Sequence, residues 1–431
     1  MKTPGSVRAG IIVLFFLNFI LAFITAIAAP FGNVWNYHYE WASMWGNMMN
    51  FSAYLIMGIP AGKMLKRIGY KKSLIVSLIV GAAGITIQIL SGFFGASTPV
   101  FQVGADMVCL NYVLYLSGAF ICGFCVCILN VVVCPMMFLL AGGGERGTAF
   151  NQFSGTVNSF GQTVTPILVG ALIGTVTAET SMIDVVPLLY IALGVLLVST
   201  IVIAILKVAE PHEATSEKYK SSPWVFRHFV LGAIAIFFYT AIEVGIPAEL
   251  NFYITGMSGE GGAAAGGAVA AVYWLLMMVG RGIGGTLNGK VPTRMQLKWT
   301  VIAACILIMI AIFLPSSMTV RMPGFSVESG ITMFSVPLSA LPLVLCGLCT
   351  SVMWVCIFTL SIDGLGKYAE EASGIFMMMI FGGGVMPLIQ DTLAKHFGVM
   401  NSYWFVIAML LYLLFYSVSG YKKGNYNIKV D

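Results

Sequence analysis

Charge is what this chain has least of. Asp, Glu, Lys and Arg make up 9% of its 431 residues, against 59% hydrophobic residues, and mean hydropathy is +0.93. A soluble globular fold is excluded, because a chain of this length could not hide so much apolar surface from water. Histidine is also scarce, and the four present, at 38, 212, 228 and 396, have no metal-ligand spacing. No glycine-rich phosphate loop ending in Gly-Lys-Ser/Thr is found, which argues against ATP-driven work. No His, Asp and Ser stand in catalytic relation, so an enzyme is not expected. With tails this short, the soluble output domain of a receptor is not expected. Cys122 and Cys125 have redox spacing but sit in an apolar run without the βαβ setting of that motif. The nine cysteines read as small packing residues.

What is present is a series of long apolar segments. Twelve are long enough to cross a bilayer, near 9–30, 40–62, 72–94, 109–140, 147–175, 184–207, 226–256, 263–288, 298–315, 337–364, 370–395 and 400–420. Their apolar runs are continuous rather than alternating, so they read as helices and not barrel strands. The basic residues then fix the orientation. Twenty of the 22 Lys and Arg, all but Arg321 and Lys395, fall on the side of the even-numbered turns and both termini. That side is expected to be cytoplasmic. The first segment follows Lys2 and Arg8 but has no small-residue cleavage site after it, and reads as a retained helix. The net charge of +5 is thereby explained by topology and implies no nucleic-acid partner.

The longest polar stretch on that side separates helices six and seven. The expected organisation is a six-helix bundle over 1–208, a cytoplasmic linker over 209–224 and a second six-helix bundle over 225–431. Two basic loops echo each other at equivalent places in the halves, Gly62 to Lys72 and Gly280 to Lys290. The 9–10 loop, Ser316 to Pro337, reads as an at least partly ordered cap.

Several stretches carry a resemblance. They are the basic 2–3 loop, Ile59-Pro60-Ala61-Gly62, Tyr239 with Glu243 and Gly245, Tyr273-Trp274 followed by Gly280-Arg281, Phe358 to Ser361 with Gly364 and Lys367, and Gly382-Gly383-Gly384 with Pro387 and Gln390. Together they resemble the major facilitator superfamily, and within it the fucose:proton symporter family that includes bacterial glucose/galactose transporters. The resemblance implies an all-α integral membrane fold of two pseudo-symmetric six-helix bundles. It also implies cation-coupled import of a neutral sugar by alternating access. Two departures bear on mechanism. The acid that fucose symporters keep in helix 1 is absent, Ala26 standing before Pro30, and the helix 4 acid is replaced by Asn130, five residues before Pro135.

Polar side chains stranded in apolar spans are the candidate site residues, since hydrocarbon makes them costly unless they face the interior. Asn47, Asn130, Asn158, Gln162 and Gln390 suit sugar hydroxyls, with helix–helix hydrogen bonding as the structural alternative. Trp274 suits stacking on a pyranose face, or simple packing. Glu243 lies mid-span, with no Lys or Arg expected inside a neighbouring span, and reads as the substrate-binding and coupling acid. Lys63, Arg67, Arg281 and Asp363 are expected at a cytoplasmic gate. Neither cofactor nor metal is expected, only a proton or sodium ion as coupling partner. The expected setting is the inner membrane, as a monomer among lipids, with facilitated diffusion or carriage of another small polar metabolite as the rival reading.

Overall fold

In a lipid-like environment each apolar run must bond its own backbone, and the described residues form fifteen α-helices and two small hairpins. The computed structural model describes residues 4–142, 144–173, 179–206, 222–257, 262–287, 290–326, 330–365 and 368–424. The linker expected over 209–224 lies outside these, except for Ser222, Pro223 and Trp224.

The first half comprises α1 (Pro4–Ala26), α2 (Ala28–His38), α3 (Trp45–Ile68), α4 (Tyr70–Phe93), α5 (Leu110–Leu140), α6 (Gly144–Ile173) and α7 (Val186–Ile205). The second comprises α8 (Arg227–Met257), α9 (Gly262–Leu287), α10 (Thr293–Phe313), α11 (Ala340–Thr350), α12 (Met353–Ile362), α13 (Ala369–Met378), α14 (Gly382–Phe397) and α15 (Val399–Phe415). Three spans are broken: α1 with α2, α11 with α12, and α13 with α14, the last joined by a 3₁₀ turn over Met379–Phe381. Counted as single crossings, these give twelve spans in two bundles of six.

Ten crossings among the described residues are long and apolar enough to span a membrane by length and composition. The other two, α3 and α6, fall short because of what they carry. Helix α3 holds Asn47, Asn50, Lys63, Lys66 and Arg67, and α6 holds Asn151, Gln152, Asn158 and Gln162. These two helices also make the broad contacts between the halves, α3 against α13 and α14, and α6 against α9. Low hydropathy here marks the seam, not a failure to cross.

Each half has its own apolar core. One runs from Val13 to Ile203 and is joined by Met377 and Ile380; the other runs from Ala235 to Tyr416. All nine cysteines are free thiols, and Cys122, Cys125, Cys127, Cys346, Cys349 and Cys356 are buried in the packing. The alternating crossings put both hairpins on one face and the chain ends on the other. Strand β1 (Pro99–Val103) pairs antiparallel with β2 (Asp106–Cys109). Strand β3 (Thr319–Ser326) pairs antiparallel with β4 (Gly330–Pro337), from Thr319 opposite Pro337 to Ser326 opposite Gly330. The cap expected over Ser316 to Pro337 is this second hairpin; β3 lies on α9 and also touches α6 of the other half. On the same face Trp35, Tyr39, Trp41, Tyr112 and Tyr115 form one aromatic cluster, with Trp35 and Tyr112 centroids 4.7 Å apart.

Candidate functional site

The polar groups of the seam centre on Arg281 of α9. Its Nη2 lies 2.9 Å from Glu243 Oε1 of α8, and both side chains are largely buried, at 12% and 16% exposed. Its Nη1 donates to the Gly155 carbonyl at 2.8 Å and to Ser159 Oγ at 2.9 Å, both on α6. One guanidinium thus joins an acid of its own half to backbone and hydroxyl of the other. Arginine suits this place because its planar fork serves two partners at once while remaining charged. The expectation that no basic residue reaches Glu243 is therefore corrected. Arg281 was placed at the cytoplasmic gate, but its long side chain reaches inward from the last turns of α9. The charge of Glu243 is paired, not bare.

Around this pair stand groups that can still form hydrogen bonds. Gln162 lies one turn beyond Ser159 on α6; it is 8% exposed, and its amide forms no hydrogen bond with any described residue. Asn158 donates to the Asn18 carbonyl of α1 at 3.3 Å, and Asn18 donates to Ser154 Oγ. Asn130 of α5 donates to Tyr54 Oη at 2.5 Å. On the other side Tyr239 Oη donates to the Thr350 carbonyl at 3.2 Å, and Tyr273 Oη bonds Thr350 Oγ1 at 2.9 Å. Trp274 is half-buried beside Tyr273, their rings edge-to-face at 5.4 Å. Trp354 packs against the cores of both halves and has its ring 6.1 Å from Tyr239.

Not all the expected residues share this region. Gln390 is fully buried against Gly245 of α8, where an added Cβ would sit 2.6 Å from its Oε1. Both ends of its amide lack a hydrogen-bond partner, so it is sealed between α14 and α8, not lining an open cavity as expected. Asn47 donates across the seam to the Gly383 carbonyl at 2.9 Å, toward the hairpin face, so it is a closure contact in this state. Lys63 and Arg67 are exposed and have no hydrogen-bond or ion-pair partner among the described residues. Asp363 pairs with Lys423 of its own half at 2.8 Å, both groups at least half exposed, so it does not bridge the halves.

Two features were missed from sequence. The first is a clasp on the hairpin face. Lys395 Nζ donates to the Glu40 carbonyl at 2.6 Å, to Ser43 Oγ at 3.1 Å and to Asp391 Oδ2 at 2.8 Å, and Ser43 Oγ donates to the same Asp391 oxygen at 3.0 Å. It ties α14 to the turn before α3 and holds that face shut. Lys395 was visible as one of only two basic residues on the sparse side, which is the signal that could have found it. The second is Glu249, a buried acid six residues beyond Glu243 on the same helix.

Two six-helix bundles meeting at a polar seam, shut on one face, define a secondary carrier that works by alternating access. The chain belongs to the Major Facilitator Superfamily, whose family model matches residues 10–387. It is 32% identical over 434 aligned positions to a glucose/galactose transporter of Brucella abortus, covering 98% of this chain and 95% of that one. It is 27% identical to a putative glucose/galactose transporter of Helicobacter pylori, covering 86% of each. Among solved structures it superposes on the E. coli fucose:proton symporter FucP with a TM-score of 0.67 at 19% identity, covering 95% of this chain and 98% of that one. It also superposes on FucP in its outward conformation with a TM-score of 0.66.

Proposed function

We propose that this chain imports a neutral sugar, of the hexose or deoxyhexose class, by cation-coupled symport across the inner membrane. The observation that carries the reading is the Arg281 fork, which joins Glu243 to Gly155 and Ser159 across the seam. A buried charge pair at the junction of two rocking bundles is tolerable only while its partners are in place. A sugar that supplies hydroxyls to Glu243, Gln162 and Asn158 can replace those partners as the bundles part. Trp274 and Trp354 offer flat apolar faces for the ring. The names of the two bacterial relatives support a hexose, and the positive-inside bias supports the hairpin face as external. The seam is complete within one chain, so a monomer suffices.

Coupling falls to a proton first and sodium second, through a carboxylate in α8. The deciding experiment is uptake of labelled hexoses and deoxyhexoses into proteoliposomes under imposed proton or sodium gradients. Accumulation above the outside concentration with one gradient names the ion. Equilibration with neither, at normal exchange rates, makes the chain a uniporter. No uptake of any sugar in the panel sinks the substrate assignment.

A further inference from the structure

Resting on the symport reading, we propose that Glu249, rather than Glu243, is the coupling carboxyl, and that the hairpin face closes only when Glu249 has taken up a proton. The two acids share α8 but live in opposite settings. Glu243 has its charge met by Arg281 at 2.9 Å. Glu249 is 1% exposed, its Oε1 has no hydrogen-bond partner, and no basic group among the described residues lies within ion-pair distance of it. A bare carboxylate in such a place is far costlier than the neutral acid, so the closed state holds the protonated form.

Its surroundings have spare polar capacity. Gly245 lies one turn before Glu249 on the same face of α8, and the fully buried Gln390 amide rests against it with both ends unbonded. The next residue, Asp391, belongs to the clasp with Lys395 and Ser43. Among the described residues, the charged and titratable groups within electrostatic reach of Glu249 are Asp391 and Lys395 of α14 and Tyr403 of α15. Asp391 and Lys395 already neutralise each other in the closed clasp. Parting of Lys395 from Glu40 and Ser43 opens a water route from the hairpin face to Glu249. Hydronium reaching Glu249 by that route gives up a proton, one O–H bond breaking there as one forms on Glu249 and leaving neutral water. The face closes over the neutral acid, and the Glu249 O–H bond breaks when the proton passes to water on the opposite side. The closed state thus binds one more proton than the open state, which ties closure to the proton gradient by linkage.

The test reads closure directly. Genetically encoded labels at Phe101 and Met333, exposed residues on the two hairpins, spare the native cysteines and report the separation of the bundles on that face. In the parent without sugar, the short-distance population should grow at least tenfold as pH falls through the carboxyl range. Glu249→Gln, which mimics the neutral acid in shape, should hold the short-distance population at the parent's low-pH level at every pH, and with sugar present should exchange it without accumulating it. Glu249→Asp should keep a pH response with a displaced midpoint, which shows that loss of the response in the Gln variant is not misfolding. Glu243→Gln should keep the response, and Asp391→Asn, which weakens the clasp, should keep it with a displaced midpoint. A parent whose label distance ignores pH, or a Glu249→Gln variant that tracks the parent, overturns the proposal. If the parent closes with pH but never accumulates sugar under a proton gradient, the symport reading fails while the proton site at Glu249 stands.

Discussion

At the scale of single residues, the seam is governed by whether each buried polar group has a partner. Arg281 meets Glu243, Gly155 and Ser159, and removing it leaves a carboxylate stranded. Arg281→Met should therefore lower unfolding stability by about 3–5 kcal/mol. Adding Glu243→Gln should recover most of that loss without restoring transport, and thermal shifts in detergent beside uptake assays separate the two effects. Gln162 has no protein hydrogen bond to lose among the described residues, so Gln162→Ala should leave stability unchanged. It should instead weaken sugar binding by about 1–3 kcal/mol, measured by equilibrium binding, since a hydrogen bond to substrate goes unmade. Much of this inventory was legible in the sequence, because a polar residue in an apolar run stands out. The pairing was not, since Arg281 and Glu243 sit on different helices and only helix packing shows that one side chain reaches the other. Glu249 was not singled out, and only the packing of α14 and α15 against α8 shows it to be buried.

At the scale of elements, the crossings and their directions followed from hydropathy and the bias of Lys and Arg, and the expected segments match the helices to within a few residues at most ends. The first span is the main exception, continuing through the break at Ile27 to His38 where the apolar run had suggested an end near residue 30. The breaks themselves were hidden, because Ser351-Val352 and Met379 to Phe381 carry no glycine, proline or charge to mark an interruption. Glycine placement shows why the halves can approach so closely. An added Cβ at Gly58 of α3 would sit 2.9 Å from both the backbone nitrogen and the Cα of Met378 on α13, so only glycine allows that backbone contact. Gly58→Ala should wedge the seam apart toward the face of the chain ends. Overpacking of this kind costs about 1–3 kcal/mol, enough to alter the balance of conformations. Impermeant reagents applied from that face should modify an engineered seam thiol faster than in the parent. An unchanged rate on both faces would mean that the wedge is absorbed locally.

At the scale of the whole molecule, the two faces differ in their charge contacts. The hairpin face is shut by Lys395 with Asp391, Ser43 and Glu40, whereas Lys63 and Arg67 on the opposite face have no partner among the described residues in this state. Rigid bundles that rock about a seam cannot close both faces with full contact, so a bond made on one side favours opening on the other. Lys395→Met should remove the clasp and leave Asp391, 6% exposed at its side chain, without its cation. Its expected effect is a shift of about 1–3 kcal/mol toward the hairpin-open form. On the reading of Arg67 as a gate residue, its partner forms only when the hairpin face opens and its own face closes, and Arg67→Gln should then act in the opposite sense. The two sites are remote, so their effects should add, and the double variant should lie near the parent in conformation. Label distances across the hairpins at Phe101 and Met333 measure all three variants on one scale. If the double variant instead resembles Lys395→Met alone, Arg67 forms no closing contact on the face of the chain ends, and the clasp alone sets which way the carrier faces.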